Sequence, residues 1–134
     1  MKRRFAAIFI LVILALALAG CSSGKVVEVK VILTNATDYE LSGVGFQIPP
    51  TRGTTSPMHD LITKDDAVLM PGETREVSAW IFKRDLGSDG WSYIHVVDDE
   101  TKYTGHNAAY LYEGVTSYEI TCEGDKAFFI TKID

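Results

Sequence analysis

Basic residues are scarce in this chain once its first segment is set aside. Residues 1–20 hold three of the 13 Lys and Arg (Lys2, Arg3, Arg4) and no acid, which leaves 10 basic residues against 18 Asp and Glu over the other 114 positions. A net charge near -8 excludes the nucleic-acid binders, which need a basic patch to neutralise phosphate. It also excludes adhesion of the folded part to an anionic membrane by its own charge. Helical periodicity is missing as well, since from Val26 onward no run with a 3.6-residue period exceeds two turns. The three histidines, His59, His95 and His106, never fall at a metal-ligand spacing such as i, i+2 on a strand. Ser56 beside His59, or Cys122 with any histidine, is the nearest approach to a nucleophile and its base. Neither sits in a nucleophile elbow. An enzyme is not expected, nor a cofactor.

What the chain has in excess is apolar residues at its start. Hydrophobic residues make up 46% of the 134, and 16 of them lie within residues 1–20. Lys2-Arg3-Arg4 form a positive n-region, followed by an apolar run from Phe5 to Ala19. As a helix that run would extend about 22 Å, short of the ~30 Å hydrocarbon core, so it reads as a secretory h-region and not as a membrane span. The run ends in Leu18-Ala19-Gly20-Cys21, a leucine, two small residues and a cysteine, and in this it resembles a bacterial lipoprotein signal.

That resemblance implies a signal peptide over residues 1–20, cleavage between Gly20 and Cys21, and a diacylglyceryl group on the Cys21 thiol. The chain would then be exported and held on the bilayer through acylated Cys21. Two or more acyl chains anchor firmly where one binds marginally. In Gram-negative lipoproteins an Asp after the Cys tends to retain the protein in the inner membrane. Ser22 in that place favours the outer membrane facing the periplasm; in a Gram-positive organism the site would be the cell membrane. A disulfide between Cys21 and Cys122 is the alternative that export permits. The residues around Cys21 account for it without one. Residues 21–25 would be the lipidated Cys and a short tether. Ser22-Ser23-Gly24-Lys25 reaches at most ~14 Å, so the domain would sit almost on the lipid surface.

From residue 26 to 134 alternation dominates, with turn residues at intervals of roughly ten. Val27, Val29, Val31 and Leu33 make one apolar face, with Glu28 and Lys30 opposite. Leu41 to Ile48 is a second strand, in which Gly43 and Gly45 mark an edge or a bulge. A polar loop from Pro49 to Pro57 follows, then a short helical turn or strand between Leu61 and Met70. Pro71-Gly72 fits a type II turn, and Val77, Ala79 and Ile81 alternate with Ser78 and Trp80 beyond it. Trp91–Val97 is next, then a corner at Asp98-Asp99-Glu100, Tyr103, and a Tyr110–Tyr112 segment. Ser117–Cys122 and Ala127–Lys132 close the chain as a hairpin around Glu123-Gly124-Asp125. Seven to nine strands in one domain imply an all-β, antiparallel β-sandwich.

The order of these features is similar to that of a family of small bacterial envelope proteins with an immunoglobulin-like sandwich. The matching residues are Asn35-Ala36-Thr37 with Tyr39 and Leu41, Asp60-Leu61-Ile62, Pro71-Gly72-Glu73, and Ile94-His95-Val96-Val97-Asp98 with Asp99 and Glu100. Two positions depart from that pattern: Met58 replaces a Trp, and Thr101 replaces a Gly. The resemblance implies an immunoglobulin-like fold and carries no catalytic residue with it.

Asp98, Asp99 and Glu100 are the metal candidates, because calcium takes several carboxylates on a tight turn. Glycine is missing at the sixth position and glutamate at the twelfth, so a solvated β-turn that discourages edge pairing is the plainer expectation. Cys122 shares a face with Tyr118 and Ile120 and should be a buried, inert thiol. Trp80, Trp91, Tyr93, Tyr110 and Tyr112 are enough aromatics for a binding patch. The expectation is a membrane-anchored envelope lipoprotein, a non-enzymatic binding module for an envelope protein or ligand. A structural or accessory subunit of an envelope complex is the alternative, with an enzyme the less favoured third.

Overall fold

The computed structural model describes residues 25–48 and 58–133. Among them every regular element is a strand, apart from one 3-10 turn at Lys83–Asp85. The strands are β1 (Val26–Asn35), β2 (Leu41–Gln47), β3 (Met58–Ile62), β4 (Thr74–Phe82), β5 (Gly90–Val96), β6 (Lys102–Ala109), β7 (Gly114–Glu123) and β8 (Ala127–Lys132). They form two four-stranded sheets in the orders β4-β1-β7-β8 and β3-β2-β5-β6. Residues 1–24, on which the expected signal peptide and Cys21 fall, and the loop from Pro49 to Pro57 with Ser56 lie outside the described residues.

Alternation explains how each sheet acquires an inner face. Val29, Val31 and Leu33 are buried on β1 while Glu28 and Lys30 stay exposed. On β4, Val77, Ala79 and Ile81 turn toward the core in register with β1, Val31 standing opposite Val77. The inner faces meet through rings. Phe46 of the second sheet lies 5.5 Å from Tyr118 of the first, and Tyr103 lies 5.6 Å from the fully buried Phe128. Burying a side chain of that size is worth roughly 1.5–3 kcal/mol, and a continuous layer of them makes the arrangement a β-sandwich.

Three expectations need correction. The sandwich is not wholly antiparallel, because β1 and β7 run parallel, with Val29 opposite Gly114 and Asn35 opposite Ile120. The reason is where the chain crosses between sheets. β6 finishes at Ala109 opposite Gly90, and β7 starts beside the early part of β1, so both leave from the same end. Second, Tyr110–Tyr112 forms no strand but part of that crossing, with Leu111 buried. Third, the short helical turn or strand expected between Leu61 and Met70 is a strand that begins at Met58 and ends at Ile62. Gly43 and Gly45 mark bulges and no edge: β2 is central in its sheet, and its register shifts at both glycines. The Pro71-Gly72 turn is as expected. Glu73 N donates to Met70 O at 3.0 Å, and Gly72 has φ +79, the left-handed value that position requires.

The topology defines two ends. At the proximal end β1 begins, β4 finishes at Phe82 opposite Val26, and β5 starts. At the distal end β1 finishes and the Asp98–Glu100 corner and the β7–β8 hairpin lie. The distal end is closed by side chains. The Asn35 amide donates to the carbonyls of Tyr39 and Leu69 at 2.8 and 3.0 Å, and its oxygen accepts from Thr37 N and Oγ1. Arg75 donates to the Glu73 carboxylate and to the carbonyls of Ala67 and Val68. Farther along, Asn107 pairs both its amide atoms with the backbone of Ile130, joining β6 to the edge strand β8.

Candidate functional site

Two glycines on β2, separated by Val44, leave the outer face of the second sheet without side chains at its centre. Gly43 stands opposite His95, and Gly45 opposite Tyr93. A Cβ on Gly43 would lie 2.9 Å from His95 Cδ2, and one on Gly45 would overlap the Tyr93 ring. The glycines are therefore there for close approach: the imidazole and the phenol lie down on bare backbone. Tyr93 is nearly buried although it points away from the core, and the His95 ring meets it edge-on at 5.8 Å. Lys102, opposite His95 on β6, holds its Nζ 4.5 Å above the Tyr93 ring.

Around this floor the sheet is walled into a depression of about 570 Å³. Asp60 and Met58 rise from β3, Thr63, Lys64 and Asp65 from the turn after it, and Glu100 from the corner after β5. The turn after β3 is set by Asp66, whose Oδ2 accepts from Thr63 N at 2.7 Å and from Thr63 Oγ1 at 3.0 Å. Those bonds favour the ionised form and lower the Asp66 pKa. Aromatic face, imidazole, ammonium and carboxylate groups thus line one concavity. Such a surface can bind a polar partner by hydrogen bonds and ion pairs while an aromatic ring provides apolar contact.

The acidic corner is not a purely solvated turn. Asp99 Oδ2 accepts from Lys126 Nζ and Tyr103 Oη, each at 2.7 Å, and Oδ1 accepts from Thr101 N at 2.9 Å. These bonds, that of Lys126 first, hold the Asp99 carboxyl far below the usual carboxylate range and push the Lys126 ammonium up. Asp99 ties the β5–β6 corner to the β7–β8 hairpin 27 residues away. Asp98 is exposed with φ +60, and Glu100 is exposed beside the depression. Among the described residues no three His, Cys, Asp or Glu side chains converge on one point.

The remaining candidates are dispersed. His59 faces inward at the proximal end opposite Phe46, its Nε2 buried without a hydrogen-bond partner. Burial lowers its pKa, against the pull of Asp85 and Asp60. His106 is on the outer face of β6 and stacks on Phe129 at 5.5 Å. Cys122 is half-buried and not fully enclosed, packed against the core near the hairpin, where it contacts Gly124 O at 3.9 Å. Trp91 lies over the start of β5 with its indole N–H donated to Gln47 Oε1 at 3.1 Å. Trp80 is 67% exposed on the outer face of the other sheet. Of the aromatics expected to bind, the structure places only Tyr93 in the depression. Gly43, Gly45, Asp60 and Lys102 were the residues sequence reasoning missed. Their signal is the pairing of an i, i+2 glycine pair with an i, i+2 aromatic–histidine pair. Comparison with known proteins returns no matching family model and no matching curated protein.

Proposed function

We propose that the chain is a lipid-anchored envelope protein whose sandwich is a non-enzymatic binding module, with the outer face of the second sheet as its recognition surface. The observation that carries the binding part is the depression built over Gly43 and Gly45, where His95, Tyr93 and Lys102 are presented together. The anchor part rests on Leu18-Ala19-Gly20-Cys21 and the charged and apolar segments before it. An immunoglobulin-like ancestry is supported by the order β3-β2-β5-β6, which matches strands C′, C, F and G, with β1 and β4 standing as B and E. In that reading β7 occupies the place of strand A and runs the other way.

Two experiments separate the parts. Cys21→Ser abolishes incorporation of labelled fatty acid and leaves an uncleaved precursor; processing at a bond other than Gly20–Cys21 contradicts the anchor. In intact cells, chemical crosslinks from the wild-type chain are lost in a His95→Ala, Lys102→Ala double variant and kept in Ser78→Ala on the other sheet. Equal loss in both contradicts the binding surface. The short tether favours a second reading, an accessory subunit docked on a membrane complex. Recovery at fixed stoichiometry with one complex after mild detergent extraction is its signature.

A further inference from the structure

The net charge of the folded part argues against contact with an anionic surface, yet the charge is not evenly spread. At the proximal end, Lys83 N donates to Lys25 O at 2.8 Å, bringing the start of β1 and the end of β4 side by side. Lys25, Lys83 and Arg84 thereby gather at one corner of an acidic domain. The corner is also apolar. Val26 and Phe82 are cross-strand partners, 45% and 39% exposed on the outer face of the first sheet, and Trp80 beside them is 67% exposed. The Arg84 guanidinium lies 4.8 Å over the Phe82 ring. Four acids are near: Glu28 is opposite Trp80, Asp89 and Glu113 are exposed just before β5 and β7, and Asp85, its side chain 14% exposed, has Oδ1 4.0 Å from Arg84 Nε. The carboxylates of the opposite end, by contrast, include Asp98, Glu100, Glu123 and Asp125, all exposed.

From these observations we infer that the Val26–Trp80–Phe82 corner, with Lys25, Lys83 and Arg84, rests in the headgroup layer of an anionic bilayer. Trp and Phe with cationic neighbours are the side chains that layer accepts, because their rings are apolar and their edges polar or charged. The difference in charge between the ends selects the occupant: the corner that carries Lys25, Lys83 and Arg84 meets the lipid, and the far more acidic end points away from it. Position agrees, since only four residues separate Cys21 from Val26. The inference rests on the lipid-anchored reading above and adds an orientation to it. With the first sheet's corner on the membrane, the depression on the second sheet's outer face looks into the compartment.

The test uses the full acylated chain in phosphatidylglycerol–phosphatidylcholine vesicles that carry lipids brominated close to the headgroups. Trp91→Phe leaves Trp80 as the only indole, and Trp80→Phe leaves Trp91. The expected result is several-fold stronger quenching of Trp80 than of Trp91, with a blue-shifted Trp80 emission. Adding Lys83→Glu and Arg84→Glu to the Trp80 reporter should reduce that quenching. Equal quenching of the two indoles overturns the orientation, as does quenching that ignores the charge reversal. A Trp80 already shielded before vesicles are added, together with a crosslinked dimer, overturns it in favour of a second copy. Intact mass keeps the levels apart: a chain without acyl groups contradicts the anchor itself, whereas an acylated chain with unquenched Trp80 contradicts only the corner.

Discussion

The two ends of this sandwich are built from different materials. The distal end is closed by hydrogen bonds from buried or half-buried polar side chains: Asn35 on three backbone groups, Asp99 on Lys126 and Tyr103, Arg75 on Glu73 and two carbonyls. The proximal end leaves Val26, Trp80, Phe82 and Tyr112 at the surface, with Trp91 on the outer face of the other sheet. Polar groups that satisfy one another fix a backbone in one arrangement, while exposed rings add little to stability and are available to something outside the chain. The comparison teaches that the partners the fold brings to a polar group, more than residue type, decide whether it holds the structure together. Asp99 and Glu100 are neighbours, yet one is a tether between loops and the other a free carboxylate on a depression.

The largest effect should come from the distal end. Asn35→Ala orphans the amide of Thr37 and takes one of two hydrogen bonds from each of the carbonyls of Tyr39 and Leu69, which keep those from Thr37 Oγ1 and Leu41 N; it should cost about 3 kcal/mol of stability. Denaturant titration of the purified chain measures it, and a loss no greater than that of a surface substitution would remove the distinction between the ends.

Acid should next distinguish them by pH window. Asp66, Glu73 and Asp99 have folded pKa values below the ordinary ones. For Glu73 the Met70 amide contributes most, then Arg75. Their stabilisation is complete above the ordinary carboxylate value, near pH 4, and is lost as pH falls through the folded values. His59 belongs to the other end and titrates earlier. Burial disfavours its charged form, so the chain loses stability as pH falls from His59's ordinary 6.5. Melting curves from pH 8 to pH 2 should show two steps, of which His59→Phe removes the first and Asp99→Asn reduces the second.

Gly72 sharpens the distal end at smaller scale. A side chain at its φ of +79 costs roughly 1 kcal/mol, and β-branching costs more. Melting points should fall in the order Gly72→Asn, Gly72→Ala, Gly72→Val. The smallest effect belongs to the exposed corner, where Trp80→Ser should change stability by less than about 0.5 kcal/mol. A larger loss would make the indole part of the fold and not of a contact surface.

Much of this was legible in the sequence, and the limit is physical. A period of two tells which face a residue takes, so Val29, Val31 and Leu33 inward and Glu28 and Lys30 outward followed directly. Pro71-Gly72 was legible because a turn is local and its φ requirement falls on one residue. Strand partners are not local. Nothing near Val29 announces that Gly114 lies beside it in parallel, and nothing in Asp98-Asp99-Glu100 announces Lys126. The depression was half legible: Gly43 and Gly45 stood out as interruptions, and Tyr93 as an aromatic, but their stacking depends on the register between β2 and β5. The proximal corner was hidden by the overall charge, because net charge has no position.

The most direct test of a division between a membrane-facing end and a partner-facing sheet is site-specific photocrosslinking in intact cells. A photoreactive side chain replaces Trp80 in one chain and Lys102 in another, with Cys21 intact in both. The account predicts lipid adducts from position 80, and adducts with a protein or polar ligand from position 102. Lipid adducts from both positions, or from position 102 alone, would contradict it.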